Sequence, residues 1–390
     1  MTPWLTVIGV AEGPMPELPA ADTILGAARF VGRVPNLTVW RDASLAGMLA
    51  QLMKHRGTPT IALASGDPMW FGIGATLAKR LPLDEFAVIP SPSSFQLAAA
   101  RLRWPLQHVA TVSLHGRAVE AIAPHVLPGN RVLALTSDRG TAPAVAVILA
   151  ARGYGRSVLT TLENLGGEAE RLASTTAAEA DFAALGDFYV LAIDMVADAG
   201  AALLPPVPGL PDEAFVSDGQ LTKREVRAAT LARLAPYPGA LLWDVGAGCG
   251  SVAIEWMRGA RDARAVAFES EPSRCEMIRQ NARALGTPGL LVVEGEAPAA
   301  LAGQAAPDAV FIGGDVGNAA LFEACWTALR SGGRLVANAV TIDGEAALYA
   351  RQERLGGELT RLEISTLDRV GGHKVMRPRL AVTQWAVVKP

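Results

Sequence analysis

The stretch Trp243-Asp244-Val245-Gly246-Ala247-Gly248-Cys249-Gly250-Ser251 decides how the second half of this chain folds. The run ALLWDV leading into it is almost wholly apolar, as in a strand buried on both faces, and the residues after it, Val252–Met257, read as a helix. Three glycines between them let backbone pass close to a ligand. The helix start adds free N–H groups and the positive end of a dipole. Open α/β sheets bind ligands just beyond the carboxyl ends of their strands, which is where this loop falls. The next strand, RAVAFE, ends in Glu269, nineteen residues after Gly250. An acidic side chain there can accept hydrogen bonds from both hydroxyls of a ribose.

Working outward, strands and helices alternate regularly. Helix Lys223–Leu234 precedes the loop, and a helix over Pro272–Leu285, strand LLVVE and strand DAVFIG follow it. Helix Asn318–Leu329, strand RLVANAV, helix Gly344–Leu355 and two longer C-terminal strands, including RLAVTQWAVV, complete the half. This pattern predicts a doubly wound, Rossmann-like α/β domain with antiparallel C-terminal strands. The first half is also α/β, with strands LTVIGV, TVW, TPTIALAS, FAVIPS, RVLALTS, SVLTTLE and FYVLAI and helix Ala142–Ala151, and it suggests two small lobes. Between the halves lies LLPPVPGLPDEAF, with Pro205, Pro206, Pro208 and Pro211. Proline at that density favours a stiff extended connector. The expected division is therefore a domain over 1–203, a linker over 204–212 and a domain over 213–390.

The chain has 390 residues, half of them apolar, and a net charge of −3, which excludes intrinsic disorder and a basic nucleic-acid footprint. The longest apolar run, around Thr141 to Ala151, falls far short of the ~20 residues of a membrane span. The N-terminus lacks the basic region of a signal peptide. Cys249, Cys275 and Cys325 are too widely spaced for a CxxC pair, and His55, His108, His115, His125 and His373 form no HxH or HExxH motif. A cytoplasmic protein without a metal is expected.

The glycine loop admits three readings. A dinucleotide fold wants G-x-G-x-x-G, but Ser251 stands where its third glycine would be. A purely structural turn is the plainest alternative. The spacing G-x-G-x-G after Asp244 is instead similar to the first motif of S-adenosylmethionine (SAM) methyltransferases. Glu294-Gly295-Glu296-Ala297-Pro298 suits a loop against an adenine ring, or an ordinary strand-to-helix turn. Thr222 has the spacing of a capping box with Glu225.

Taken together, QLTKREVR, DVGAGCGSVAIEW, AFESEPSRCEMIRQNARALG, VEGEAPAAL and VFIGG resemble the precorrin methyltransferases that act at carbon 15 in cobalamin biosynthesis. In the first half, Ala64-Ser65-Gly66-Asp67-Pro68-Met69-Trp70-Phe71-Gly72, then Ile89-Pro90-Ser91-Pro92-Ser93-Ser94 and Glu163-Asn164-Leu165-Gly166, resemble the tetrapyrrole methylases, in particular their carbon-5 branch. Both units in this order resemble a fused, decarboxylating precorrin methyltransferase family. The resemblance implies two SAM sites per chain, methylation at carbons 5 and 15, and loss of the ring C acetate carboxyl at carbon 12. It implies SAM contacts at Thr222, Gly246, Ala247, Gly248, Cys249, Gly250, Glu269 and Ala297 in the second domain. In the first domain it implies Gly9, Gly66, Asp67, Pro68, Ser93, Ser94 and Thr136. Glu296 stands where the family often has Asp.

A tetrapyrrole is a polycarboxylate, so cationic groups should line its site. Arg369, His373, Lys374, Arg377 and Arg379 fall within eleven positions that Gly371, Gly372 and Pro378 mark as a loop. This is either a wall for propionates and acetates or a solvated basic hairpin. His115-Gly116-Arg117 is a weaker candidate. No Ser-His-Asp or metal constellation is present, and a homo-oligomer with a precorrin substrate is expected. The rivals are an NAD-dependent oxidoreductase, and an RNA or other small-molecule methyltransferase whose first half is a non-catalytic scaffold.

Overall fold

The computed structural model describes residues 3–11, 13–42, 44–182 and 184–390. They divide into two units: one runs to Val119 and continues over Pro128–Ala202, and the other joins Glu120–Leu127 to Leu203–Pro390.

The first unit holds two five-stranded sheets. One contains β1 (Leu5–Val10), β2 (Thr23–Gly26), β3 (Leu37–Val39), β4 (Thr60–Ser65) and β5 (Phe86–Ile89), in the order β3-β2-β4-β1-β5 and all parallel. The other contains β6 (Ala110–Ser113), β7 (Arg131–Leu135), β8 (Val158–Glu163), β9 (Arg171–Thr176) and β10 (Tyr189–Asp194), ordered β6-β7-β10-β8-β9. Helices α1 (Leu45–Met53), α2 (Ile73–Leu77), α3 (Ser94–Leu102) and α4 (Thr141–Ala151) connect them. The sequence reading missed β2, β6 and β9. The first two are four residues long, and β9 is a largely exposed edge strand with little apolar signal.

The second unit is built on a seven-stranded sheet. Its strands are β11 (Leu241–Val245), β12 (Arg264–Glu269), β13 (Leu291–Glu294), β14 (Ala309–Ile312), β15 (Arg334–Ala339), β16 (Glu358–Leu362) and β19 (Val382–Val388), with the hairpin strands β17 (Ser365–Val370) and β18 (His373–Pro378) standing apart. The order is β13-β12-β11-β14-β15-β19-β16. β11 to β15 are parallel and β19 runs against them. Helices α5 (Arg224–Leu234), α6 (Ser251–Gly259), α7 (Pro272–Ala284), α8 (Ala319–Ala328) and α9 (Ile342–Leu355) are interleaved. β11 is fully buried because both faces meet helices. The chain leaves it toward β12 and later returns to its other side with β14. Where these strand ends diverge, a crevice opens.

Two expectations need correction. Residues 204–212 are no free connector. Prolines keep the segment out of helix and sheet, but Leu204, Leu210 and Phe215 pack into a core with Leu231, Val252 and Trp256. The Glu255 carboxylate accepts the N–H groups of Gly209 at 2.6 Å and Leu210 at 3.0 Å, while Arg258 donates to the Leu204 carbonyl at 2.6 Å. Residues 369–379 are likewise no loop. Gly371-Gly372 is a two-residue turn, with φ +58° at Gly371, between β17 and β18, and Pro378 sits at the strand end where no ladder donor is needed.

Candidate active site

A cavity of about 770 Å³ lies beyond the carboxyl ends of β11, β12, β14 and β15. Its floor is the glycine loop. Gly248 has φ +59°, and a Cβ there would stand 2.8 Å from the Gln220 carbonyl oxygen, so no larger residue fits without moving the Gln220 segment.

Two carboxylates hold the loop from below. Glu269, buried at the end of β12, accepts the Gly248 N–H at 2.8 Å through Oε2 and the N–H groups of Ser270 and Glu271 at 3.0 and 3.1 Å through Oε1. Asp244 is fully enclosed on β11. Its Oδ2 accepts the Ala253 N–H at 3.0 Å and anchors the start of α6, whereas its Oδ1 has no hydrogen-bond partner among the described residues. Burial pushes its pKa up to about 7; the Glu269 charge adds to this and the Ala253 hydrogen bond opposes it.

The remaining lining comes from several elements. Thr222 and Lys223 contribute from the turn before α5, and Glu296 and Ala297 from the loop after β13. Phe311 and Asp315 contribute from β14 and its loop, Asn338 from β15, and Arg379 and Val382 from the end of the chain. Of the expected cofactor residues, Thr222, Gly246, Ala247, Gly248, Glu269 and Ala297 thus meet in one space. Cys249 and Gly250 do not line it. Cys249 is buried, with its carbonyl accepting from Asn281 and its thiol pKa raised by burial, while Gly250 is the N-cap of α6. Thr222 does not cap α5 either. The N-cap is Lys223, without a side-chain hydrogen bond, and the Thr222 carbonyl instead accepts from Arg227 Nη1 at 2.5 Å.

Arg227 explains why the Thr222 turn lies where it does. Fully buried, it places Nε 2.6 Å from Glu255 Oε1 and Nη1 3.0 Å from Asp212 Oδ1, donates to the Leu210 carbonyl, and stacks over Phe215 at 4.8 Å. One guanidinium therefore fastens the proline-rich segment, α6 and the cavity's Thr222 edge together. Of the basic stretch, Arg379 alone lines the cavity, 3.3 Å from Glu225. Arg369, His373 and Lys374 project from the exposed hairpin, and Arg377 pairs with Asp368 at 3.0 Å.

In the first unit, the ends of β1 and β4 meet the start of α3. Gly9 faces the Gly66 carbonyl and Pro68, where a Cβ would stand 2.6 and 2.9 Å from the nearest atoms, and Gly66 lies beside Ser93 and Ser94. Ser93 and Gln96 form a reciprocal capping box, and Asp67 Oδ1 accepts the Met69 N–H at 2.8 Å. These six residues are gathered at one strand-end cluster. Thr136 is tied elsewhere, donating to the Tyr189 carbonyl at 2.7 Å, while its own carbonyl lies 3.1 Å from His115 Nδ1.

Residues 213–389 match the family model described as precorrin methyltransferase domain, and residues 36–181 match that of tetrapyrrole (corrin/porphyrin) methylases. Precorrin-6Y C(5,15)-methyltransferase [decarboxylating] of Sinorhizobium sp is 45% identical over 100% of this chain and 97% of its own. This chain belongs to the precorrin-6Y C(5,15)-methyltransferase family. A second family member, from Mycobacterium tuberculosis, is 39% identical over 98% of this chain and 96% of its own. A crystal structure of the C-terminal domain of the enzyme from Rhodobacter capsulatus covers 48% of this chain and 100% of its own, at 42% identity and TM-score 0.46.

The sequence reading missed Asn338 and Arg227. Asn338 is the lone polar residue inside the apolar run LVANAV, and Arg227 sits on the face of α5 that also carries Val226, Thr230, Leu231 and Leu234. A charged or amide group in a buried stripe is the signal that could have found both.

Proposed function

We propose that this chain carries out both methyl transfers and the decarboxylation of its family on one polypeptide. It methylates carbons 5 and 15 of a precorrin-6Y-type tetrapyrrole from SAM and removes the acetate carboxyl at carbon 12. The first unit, ending near residue 203, would serve carbon 5, and the second, with residues 213–390 and the packed segment 204–212, would serve carbon 15 and the decarboxylation. Two SAM sites per chain, a cytoplasmic location and a homo-oligomeric state belong to the same reading.

The observation that carries it is the cavity floored by the Gly246–Gly248 loop. SAM bears a sulfonium and an ammonium against one carboxylate. Glu269, Glu296 and Asp315 of the lining would face the cationic groups, and Lys223, Arg274 and Arg379 of the same lining would suit carboxylates. Gly246, Gly248, Glu269 and Ala297 would hold the cofactor, which supplies an already activated methyl group. The protein's part is to orient and desolvate. Thr222 and the glycine loop fix one side, and the apolar side chains of Phe311, Leu321 and Val382 exclude water from the other. The meso carbons of a reduced tetrapyrrole are enamine-like and need no strong base.

Mass spectrometry of products tests the assignment. Gly248→Val should abolish methylation at carbon 15 and leave carbon 5 methylated if the first unit accepts unprocessed substrate. Asp67→Ala, which removes the turn acceptor of Met69, should give a decarboxylated product methylated only at carbon 15. A doubly methylated, decarboxylated product from Gly248→Val at the normal rate would overturn it.

A further inference from the structure

At the carboxyl end of β15 a buried amide network reaches the cavity. Thr230, with no exposure, donates its one hydroxyl proton to the Val226 carbonyl at 2.8 Å. It must therefore accept both of its other hydrogen bonds, from Asn338 Nδ2 at 3.0 Å and from Gln384 Nε2 at 3.0 Å. Gln384, 2% exposed, uses its second N–H on Asn338 Oδ1 at 2.9 Å. Every proton of Thr230 and of the Gln384 amide is thereby committed. This fixes which end of the Asn338 amide is which, with nitrogen toward Thr230 and oxygen toward Gln384. The second Nδ2–H of Asn338 has no protein partner among the described residues, and Asn338 lines the cavity.

We infer that Asn338 is a substrate-facing donor that positions a peripheral carboxylate of the tetrapyrrole for reaction in the second unit. The inference rests on the function proposed above and names a contact within that site. An amide held by two buried partners loses little freedom on binding, so its remaining N–H is pre-oriented. Asn338 offers an N–H, and Lys223 and Arg379, the latter 3.3 Å from Glu225, line the same cavity as its carboxylates, so a substrate carboxylate oxygen is an acceptor that suits this donor. Orientation of this kind selects which carboxylate-bearing edge of the macrocycle lies against the methyl donor.

The test uses the full chain and separates binding of SAM from turnover of the precorrin. Asn338→Leu should lower kcat/KM for carbon-15 methylation and decarboxylation by about 10- to 100-fold, the range of one hydrogen bond to a charged group. SAM affinity measured by calorimetry should stay within about twofold, and carbon-5 methylation should be unchanged. Asn338→Ser, which retains a group able to bond to Thr230 and Gln384, secures the experiment if Asn338→Leu does not fold, and should show the same split with a smaller loss. Unchanged kcat/KM in a folded variant would overturn the inference, as would a loss fully matched by weakened SAM binding. Failure of the unaltered protein to methylate carbon 15 would instead sink the proposed function.

Discussion

Both units bring glycine to the end of a parallel strand, but they secure it differently. In the first, Gly9 is walled in by backbone and proline, and the adjoining α3 is capped by the neutral Ser93–Gln96 pair. In the second, carboxylates do the holding, with Glu269 taking three backbone N–H groups and Asp244 a fourth. A turn closed by shape is insensitive to pH and intolerant of added volume. A turn closed by buried charge is sensitive to protonation and to loss of any one partner. The two halves should therefore fail in different ways.

The largest contrast is in the buried charge of the second unit. Arg227→Met strands Glu255, 1% exposed, without its cation. It should cost the second unit about 3–5 kcal/mol, with the first unit's melting transition unmoved in calorimetry. Equal loss from both transitions would erase the contrast.

Glu269→Ala comes next. Binding a ribose would by itself leave stability unchanged. With Gly248, Ser270 and Glu271 also depending on it, the variant should lose about 1–3 kcal/mol in SAM affinity at the second unit and melt earlier as well. Weaker binding at an unchanged melting temperature would show that the loop is held by other means. For the first unit, Gly9→Ala should cost about 1–3 kcal/mol by overpacking against Gly66 and Pro68, equally at every pH.

The remaining contrast is in a slope. Asp244 has its folded pKa raised from 3.8 to about 7. The folded state then holds a proton that the unfolded chain has released, so this group's stabilisation is complete below about pH 4 and is lost as pH rises through about 7. The slope reaches about 1.4 kcal/mol per pH unit between those limits. Denaturant titrations of Asp244→Asn against the unaltered protein should show this difference in the second unit, and parallel pH profiles would contradict it.

The second unit was legible because its strands are long, buried on both faces and punctuated by one glycine loop. Thr222, Gly246 to Gly248, Glu269 and Ala297 share one cavity because the loops at these strand ends flank the crevice where the strand order reverses. Cys249 and Gly250 do not line the cavity because the loop turns inward there, toward Asn281 and Ile278. The segment 204–212 misled because proline content reports backbone stiffness, whereas its position is set by Leu204, Leu210 and the acceptors of Glu255. Asn338 and Arg227 stood out only as polar groups in apolar stripes, and their roles could not be read because the partners lie 46 and 28 positions away, at Gln384 and Glu255.

The central claim is that two unlike turns serve two sites for one cofactor. Calorimetric titration of SAM into the full chain and into its Gly248→Val variant tests it most directly. Two SAM molecules per unaltered chain are expected, with Gly248→Val reducing the count to one. A single equivalent on the unaltered full chain, abolished by Gly248→Val, would contradict the claim and leave the first unit without a cofactor of its own.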